Sequence, residues 1–170
     1  MFSYNVHIGM KIIAAIFVGI FLVLYAGLNW DNQKSSEQVK VEYVIDGDTI
    51  IVEGKRKVRY IGVDAPEIIY ATNTGDKSYR CFAKESLIAN EKIVEGKTVK
   101  LVKDVSDKDK YGRLLRYVYS GDIFVNEYLV KNGFAVSEPI FPNLEYSRLF
   151  YNSQKMASDK KIGLWSKCAK

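Results

Sequence analysis

Apolar and polar positions alternate through most of the middle of the chain. Val39, Val41, Tyr43 and Ile45 alternate with Lys40, Glu42 and Val44, a strand pattern with one mismatch at Val44. Two more strand-like runs, Thr49 to Val52 and Val58 to Val63, are joined by a Gly-Lys turn, so the first three strands read as a meander. After the loop-like stretch Ile68 to Lys77 the period changes. From Tyr79 to Val94, Phe82, Ala83, Leu87, Ala89, Ile93 and Val94 fall on one side of a helical wheel and Lys84, Glu85, Glu91 and Lys92 on the other, with Gly96 as the stop signal. Lys97 to Lys103 and Leu114 to Tyr119 return to the strand period, with a charged turn from Asp104 to Lys110 between them. Ile123 to Asn132 reads as a short helix closed by Gly133, and Pro139 and Pro142 mark an irregular stretch. Leu144 to Lys160 reads as a last helix with Leu149, Phe150, Met156 and Ala157 on its apolar side, and Gly163-Leu164-Trp165 as a docked tail. The fold class expected from this order is α+β, mainly β: a five-stranded OB-fold barrel with three helices, whose usual ligands are single strands and oligosaccharides.

The chain before this domain has a different character. Ile12 to Leu28 is seventeen residues without a charge, which is at the short end of the roughly 17–25 needed to span a bilayer as a helix. Lys11 precedes it and no acidic residue does, which puts the N-terminus inside and the domain outside the membrane. A secretory signal is the rival reading, but Leu24 before Ala26 and Tyr25 before Gly27 make a poor cleavage site. The expected organisation is a membrane anchor or signal over residues 1–30, a polar linker over 31–38, and one globular domain over 39–170.

Composition narrows the chemistry. The only histidine among 170 residues is His7, ahead of the apolar run, so the domain has no imidazole for a Ser-His or Cys-His pair or for a His-rich zinc site. A net charge of +5 favours polyanions or an anionic membrane surface, though weakly. Cys81 and Cys168 fit no metal motif; in an exported domain they are expected to pair as a disulfide tying the tail to the start of the first helix. Two unrelated buried thiols are the alternative.

Carboxylates and arginines remain as candidates. Val44 to Glu67 places Asp46, Asp48, Arg59 and Asp64 at strand ends, with Glu67 just after Pro66. A hairpin turn brings its flanks together, so Asp48 and Asp64 are expected near each other with a hard divalent cation between them; the ligand types alone permit Ca²⁺ or Mg²⁺. Arg59, charged where Ile61 and Val63 are apolar, suits a phosphate held by parallel hydrogen bonds. A second cluster, Asp107 to Arg113, is D-K-D-K-Y-G-R, and barrel closure turns Arg113 toward Arg59.

The series V-I-D-G-D-T, R-Y-I-G-V-D-A-P-E, D-K-Y-G-R, V-N-E-Y-L-V-K-N-G-F-A and G-L-W-S resembles, in that order, the thermonuclease (staphylococcal nuclease-like) family, from about Val39 to Lys167. The resemblance implies a calcium-dependent phosphodiesterase that cleaves single-stranded or frayed DNA and RNA and leaves 3′-phosphates. By position it assigns one Ca²⁺ to Asp48, Asp64 and the main-chain carbonyl of Ala65, with Asp46 nearby. Arg59 and Arg113 match the phosphate-binding arginines, and Glu67 the carboxylate that positions or activates the attacking water. Lys110 and Tyr111 match residues near a terminal phosphate. Where the family's best-known members pack the nucleobase between two tyrosines, this chain has Pro139 and Phe141; Phe141 keeps a stacking face without a phenolic donor. The expected protein is a monomer with no protein partner, fixed to the membrane by its N-terminal helix. A catalytically silent OB module that binds nucleic acid or protein at the cell surface is the alternative.

Overall fold

The structure, a computed structural model, describes residues 16–20, 35–67 and 81–168. The chain divides into two units, Met1–Lys34 and Ser35–Lys170. Of the first, only residues 16–20 are described, and they are helical. The rest of the expected anchor lies outside the described residues, as does the loop from Ile68 to Lys77. Among the described residues no helix is long and apolar enough to cross a membrane.

The second unit begins with β1 (Ser36–Asp46), β2 (Thr49–Val52), β3 (Arg56–Tyr60) and β4 (Val63–Asp64). Then come α1 (Ala83–Val94), β5 (Thr98–Val102), β6 (Leu114–Ser120), β7 (Ile123–Phe124), α2 (Val125–Lys131), β8 (Val136–Ser137), α3 (Ser147–Asp159) and α4 (Leu164–Lys167). The main sheet runs β3-β2-β1-β5-β6-β7, and a further parallel pairing of β3 with β6 closes five of these strands into a barrel. This is consistent with the expected OB-type α+β fold. Helix α1 packs on β1, α2 on β6, and α3 on α2 and β8.

Differences from the sequence pattern have local causes. β1 starts at Ser36, within the expected linker, because Ser36 to Lys40 pair with Val102 to Thr98 of β5. The mismatch at Val44 is a bulge: the β1–β2 register slips between Val41 and Tyr43, so Val44 turns inward and Tyr43 faces outward. The run from Val58 to Val63 breaks at Ile61-Gly62, where a turn separates β3 from the two-residue β4. Ile123 and Phe124, expected in the helix, first pair back on β6 as β7. Val136–Ser137, in a stretch with no strand signature, pairs with β4. Helix α1 starts at Ala83, after Phe82 in a left-handed conformation with its ring stacked on Phe134.

The barrel interior is filled by Val41, Ile50, Val52, Val58, Val63, Leu101 and Val118, with Tyr60 fully buried among them. Beyond it, Tyr117, Phe124, Tyr146 and Phe150 form an aromatic cluster that joins α3 to the sheet. The tail is docked where Gly133 and Gly163 meet: a Cβ on Gly163 would lie 2.4 Å from the Gly133 oxygen, and the Leu164 amide donates to that oxygen. Cys81 and Cys168 form a disulfide, as expected.

That bridge closes a loop with a sequence separation of 87. Its removal by Cys81→Ser with Cys168→Ser is expected to lower stability by about 2–4 kcal/mol, chiefly by freeing the unfolded chain. Equilibrium urea unfolding of a fragment beginning at Asp31, with and without reductant, checks this; identical midpoints would contradict it.

Candidate active site

The acidic end of the barrel starts at a turn that only glycine allows. Asp46 closes β1, Gly47 and Asp48 turn, and Thr49 opens β2. A Cβ on Gly47 would lie 2.5 Å from the Ala65 Cβ and 2.8 Å from the Ser86 Cβ, so a bare backbone lets this turn sit against both β4 and α1. Helix α1 fixes it from the other side. The Asn90 amide donates to the Asp46 carbonyl at 3.0 Å and its oxygen accepts from the Tyr60 hydroxyl at 2.9 Å, with Asn90 and Tyr60 both fully buried. The Asp46 carboxylate accepts the Asp48 amide.

Asp48 is buried. One carboxylate oxygen accepts the Thr49 hydroxyl; the other accepts the Ala65 amide at 2.6 Å and lies 3.2 Å from the Arg59 Nη1. Arg59 projects from β3 into the same place. Its Nη1 donates to the Tyr60 and Val63 carbonyls, and its Nη2 to Asp64 Oδ1 at 2.9 Å and Glu138 Oε2 at 3.4 Å. Asp48, Arg59, Asp64 and Ala65 therefore converge, as the hairpin argument requires, through β3, the turn at Gly62 and β4.

The second cluster is built by Asp109. Its Oδ1 accepts the amides of Tyr111 and Arg113, and its Oδ2 accepts Arg113 Nε at 2.6 Å. The contact uses Nε, not the terminal amino groups. Arg116, buried in β6 beside Tyr60 of β3, holds the base of this loop by donating to the carboxylate and carbonyl of Asp107. Arg113 lies near enough to Asp64 for its charge to stabilise that carboxylate. The Tyr111 ring is 72% exposed, with Lys110 Nζ 5.0 Å and Arg113 Cζ 5.5 Å from its centroid. Glu67 is exposed at the end of the segment that carries Ala65. Phe141 is 85% exposed, on the loop between β8 and α3 that also holds Pro139.

Three residues the sequence pattern did not single out take part. Glu138 reaches Arg59 because β8 pairs with β4 and its amide donates to the Gly62 carbonyl. A two-residue strand has no periodicity to detect, so this contact had no signal. Asp109 was within the charged cluster, and its place four residues before Arg113 was the available clue. Asn90, a polar residue among the apolar positions of α1, was the clue to the support beneath Asp46.

Negative charge exceeds positive charge here. Burial pushes the Asp48 carboxyl up to about 8; Arg59 and the Ala65 amide pull it down, while Asp46 and Asp64 push it further up. Asp64 is also raised, first by burial, with Glu138 and Asp46 adding to that and Arg59 and Arg113 opposing it. Asp109 goes the other way: burial would raise it, but its hydrogen bonds from Arg113 and Tyr111 hold it below the usual carboxylate range. Among the described residues no three acidic, histidine or cysteine side chains are grouped to hold a metal by themselves. Asp48 and Asp64 with a main-chain carbonyl nonetheless form an all-oxygen set carrying excess negative charge, which fits a hard divalent cation completed by water.

A carboxyl raised on folding binds more protons in the native state than in the unfolded chain, so its contribution to stability is lost as pH rises. Without divalent cations, stability is expected to fall as pH rises from the ordinary carboxylate range to about pH 8 through Asp48 and then level off. Asp48→Asn should flatten that slope. Melting temperatures of both proteins across this range in chelator check it; parallel curves would contradict it.

Comparison with known proteins is consistent with these features. Residues 57–167 match the family model described as staphylococcal nuclease homologue. The chain is 36% identical over 160 residues to the thermonuclease of Staphylococcus intermedius, covering 88% of this chain and 93% of that protein. It is 39% identical over 144 residues to the thermonuclease of Staphylococcus hyicus, covering 83% of this chain and 81% of that one. Endonuclease YncB of Bacillus subtilis is 36% identical over 141 residues, covering 80% of this chain and 65% of that protein. The arginine-carboxylate cluster thus lies in a domain of known kind: the chain belongs to the staphylococcal nuclease homologue family.

Proposed function

We propose that this chain, a nuclease-type hydrolase by its family and relatives, is a calcium-dependent phosphodiesterase acting on single-stranded or frayed DNA and RNA with little sequence preference. One observation carries the reading. A buried guanidinium, Arg59, reaches both Asp48 and Asp64, and Asp109 holds a second arginine, Arg113, on the loop that enters β6, the strand paired with β3. Two arginines beside a cation-seeking carboxylate pair are suited to a phosphate that gains charge as it reacts.

Asp48, Asp64 and the carbonyl of Ala65 would hold the calcium ion. When bound, the ion would supply charge neutralisation at the phosphate and a site for water. Arg59 and Arg113 donate N–H groups to the non-bridging oxygens as phosphorus becomes five-coordinate. Glu67 orients the attacking water or takes its proton; the new O–P bond forms as the bond to the 5′ oxygen breaks, leaving a 3′-phosphate. Asp109 keeps Arg113 aimed, and the Tyr60–Asn90–Asp46 chain keeps the Asp48 turn in place. Lys110 and Tyr111 approach a terminal phosphate, and Phe141 offers a face on which bases stack.

The apolar run from Ile12 to Leu28, with Lys11 before it, supports a membrane-anchored enzyme with its domain outside the cytoplasm. The Cys81–Cys168 disulfide supports an oxidising compartment as well.

Cleavage of heat-denatured DNA by the fragment beginning at Asp31 should require calcium and stop with chelator. Arg113→Ala should lower kcat about 10²–10³-fold, the usual loss when one donor to a developing charge is removed. Glu67→Gln should also be severely impaired. Arg113 is the cleaner arginine to test, because Arg59 is deeply buried and also holds the fold. Activity of Arg113→Ala within a few-fold of wild type would overturn the mechanism. Salt-sensitive binding of single strands without cleavage would instead identify a binding module.

A further inference from the structure

Glu138 stands at the Arg59 cluster, and the nuclease reading gives it no task. Its position is fixed by the backbone. Val63 pairs with Ser137, Asp64 with Val136, and the Glu138 amide donates to the Gly62 carbonyl. The side chain then lies over one particular edge of Arg59. Nη1 is committed to the Tyr60 and Val63 carbonyls and to Asp48. Nη2 faces Asp64 Oδ1 at 2.9 Å and Glu138 Oε2 at 3.4 Å. The Arg59 side chain is 8% exposed, whereas those of Asp64 and Glu138 are 48% and 54% exposed. An anion arriving from solvent at Nη2 therefore meets these two carboxylates first.

The two carboxylates respond differently to a ligand. Asp64 makes the closer contact and, under the nuclease reading, is turned toward a cation that cancels its charge. Glu138 has the longer and more exposed contact, and with no cation assigned to it, the same reading would leave its charge uncancelled beside a phosphate at Arg59. Phosphates differ in how they respond to such a neighbour. An internal phosphodiester carries a single negative charge; a terminal phosphomonoester carries about −1.5 to −2 at pH 7.

We propose that Glu138 sets a charge limit on the phosphate admitted at Arg59: internal diesters are accepted and terminal phosphomonoesters are disfavoured. One consequence is a preference for cleavage inside a strand over attack beside a terminal phosphate. Another is easier release of a product whose new end is a 3′-phosphate. A second full charge a few ångströms from Glu138, in a partly screened site, should weaken binding about tenfold.

Calorimetry with calcium tests this on two ligands that differ by one charge, thymidine 3′-monophosphate and its monomethyl ester. The measured quantity is the ratio of the two dissociation constants at pH 8. Glu138→Gln and Glu138→Ala should each shift that ratio about tenfold toward the monophosphate. Glu138→Asp, which keeps the charge, should retain the wild-type ratio. An unchanged ratio in Gln and Ala, an equal shift in Asp, or wild-type protein that binds neither ligand would each overturn the proposal. Melting temperatures confirm that the variants compared are folded. The inference rests on the nuclease reading, and the two fail differently. Absence of calcium-dependent cleavage by the wild type removes that reading, whereas normal cleavage with an unchanged ratio removes only the role of Glu138.

Discussion

A guanidinium buried among carboxylates and main-chain carbonyls organises one end of this barrel. Arg59 is drawn inward by the Tyr60 and Val63 carbonyls and by Asp48, and those contacts bring β3, β4 and the β1–β2 turn to one place. Removing one partner of such a buried pair typically costs about 3–5 kcal/mol, because the other charge is left without compensation. The position thus couples folding to chemistry. The side chains that assemble the barrel end are also its charged site, where the carboxylates of Asp48, Asp64 and Glu138 surround one buried guanidinium.

Neutral hydrogen bonds do the supporting work. The chain Tyr60 to Asn90 to the Asp46 carbonyl runs from the barrel core through α1 to the acidic turn. Asn126 performs the same service in α2: its side chain accepts the Val118 amide and donates to the Ile61 carbonyl, bracing the turn between Arg59 and Asp64. Arg116 and Asp107 anchor the loop that presents Arg113. A site supported by packed helices and closed strands keeps its charged groups aimed with little reorganisation, which is what electrostatic catalysis requires.

Much of this was legible in the sequence, for identifiable reasons. The three-strand meander, the α1 stripe and the returning strands β5 and β6 follow apolar periods that burial enforces, so they were readable to within a few residues. The approach of Asp48 to Arg59 was readable from the short hairpin that pairs β2 with β3, whereas Asp64 joins them only through the turn at Gly62, which the strand pattern did not show. What escaped was non-periodic or non-local. The bulge at Glu42–Tyr43 disguises itself as a pattern error, and the pairing of Ser36 to Lys40 depends on a strand some sixty residues away. The β4–β8 pair is too short to carry a signature, so the approach of Glu138 to Arg59 could not be read before the chain was folded. The apolar run from Ile12 to Leu28 lies mostly outside the described residues, and its reading still rests on the pattern alone.

The Cys81–Cys168 bridge also changes the topology of damage. It turns everything from the start of α1 to the end of α4 into a covalent ring, and the loop bearing Lys108, Lys110 and Arg113 lies on that ring. A trypsin-like protease cutting this exposed basic loop would open the ring without releasing a piece. Both sides of the cut would remain tethered, one through Cys81 and the other through Cys168, while β3–β6 pairing holds them in register. A single nick there would then leave two chains held together as one molecule.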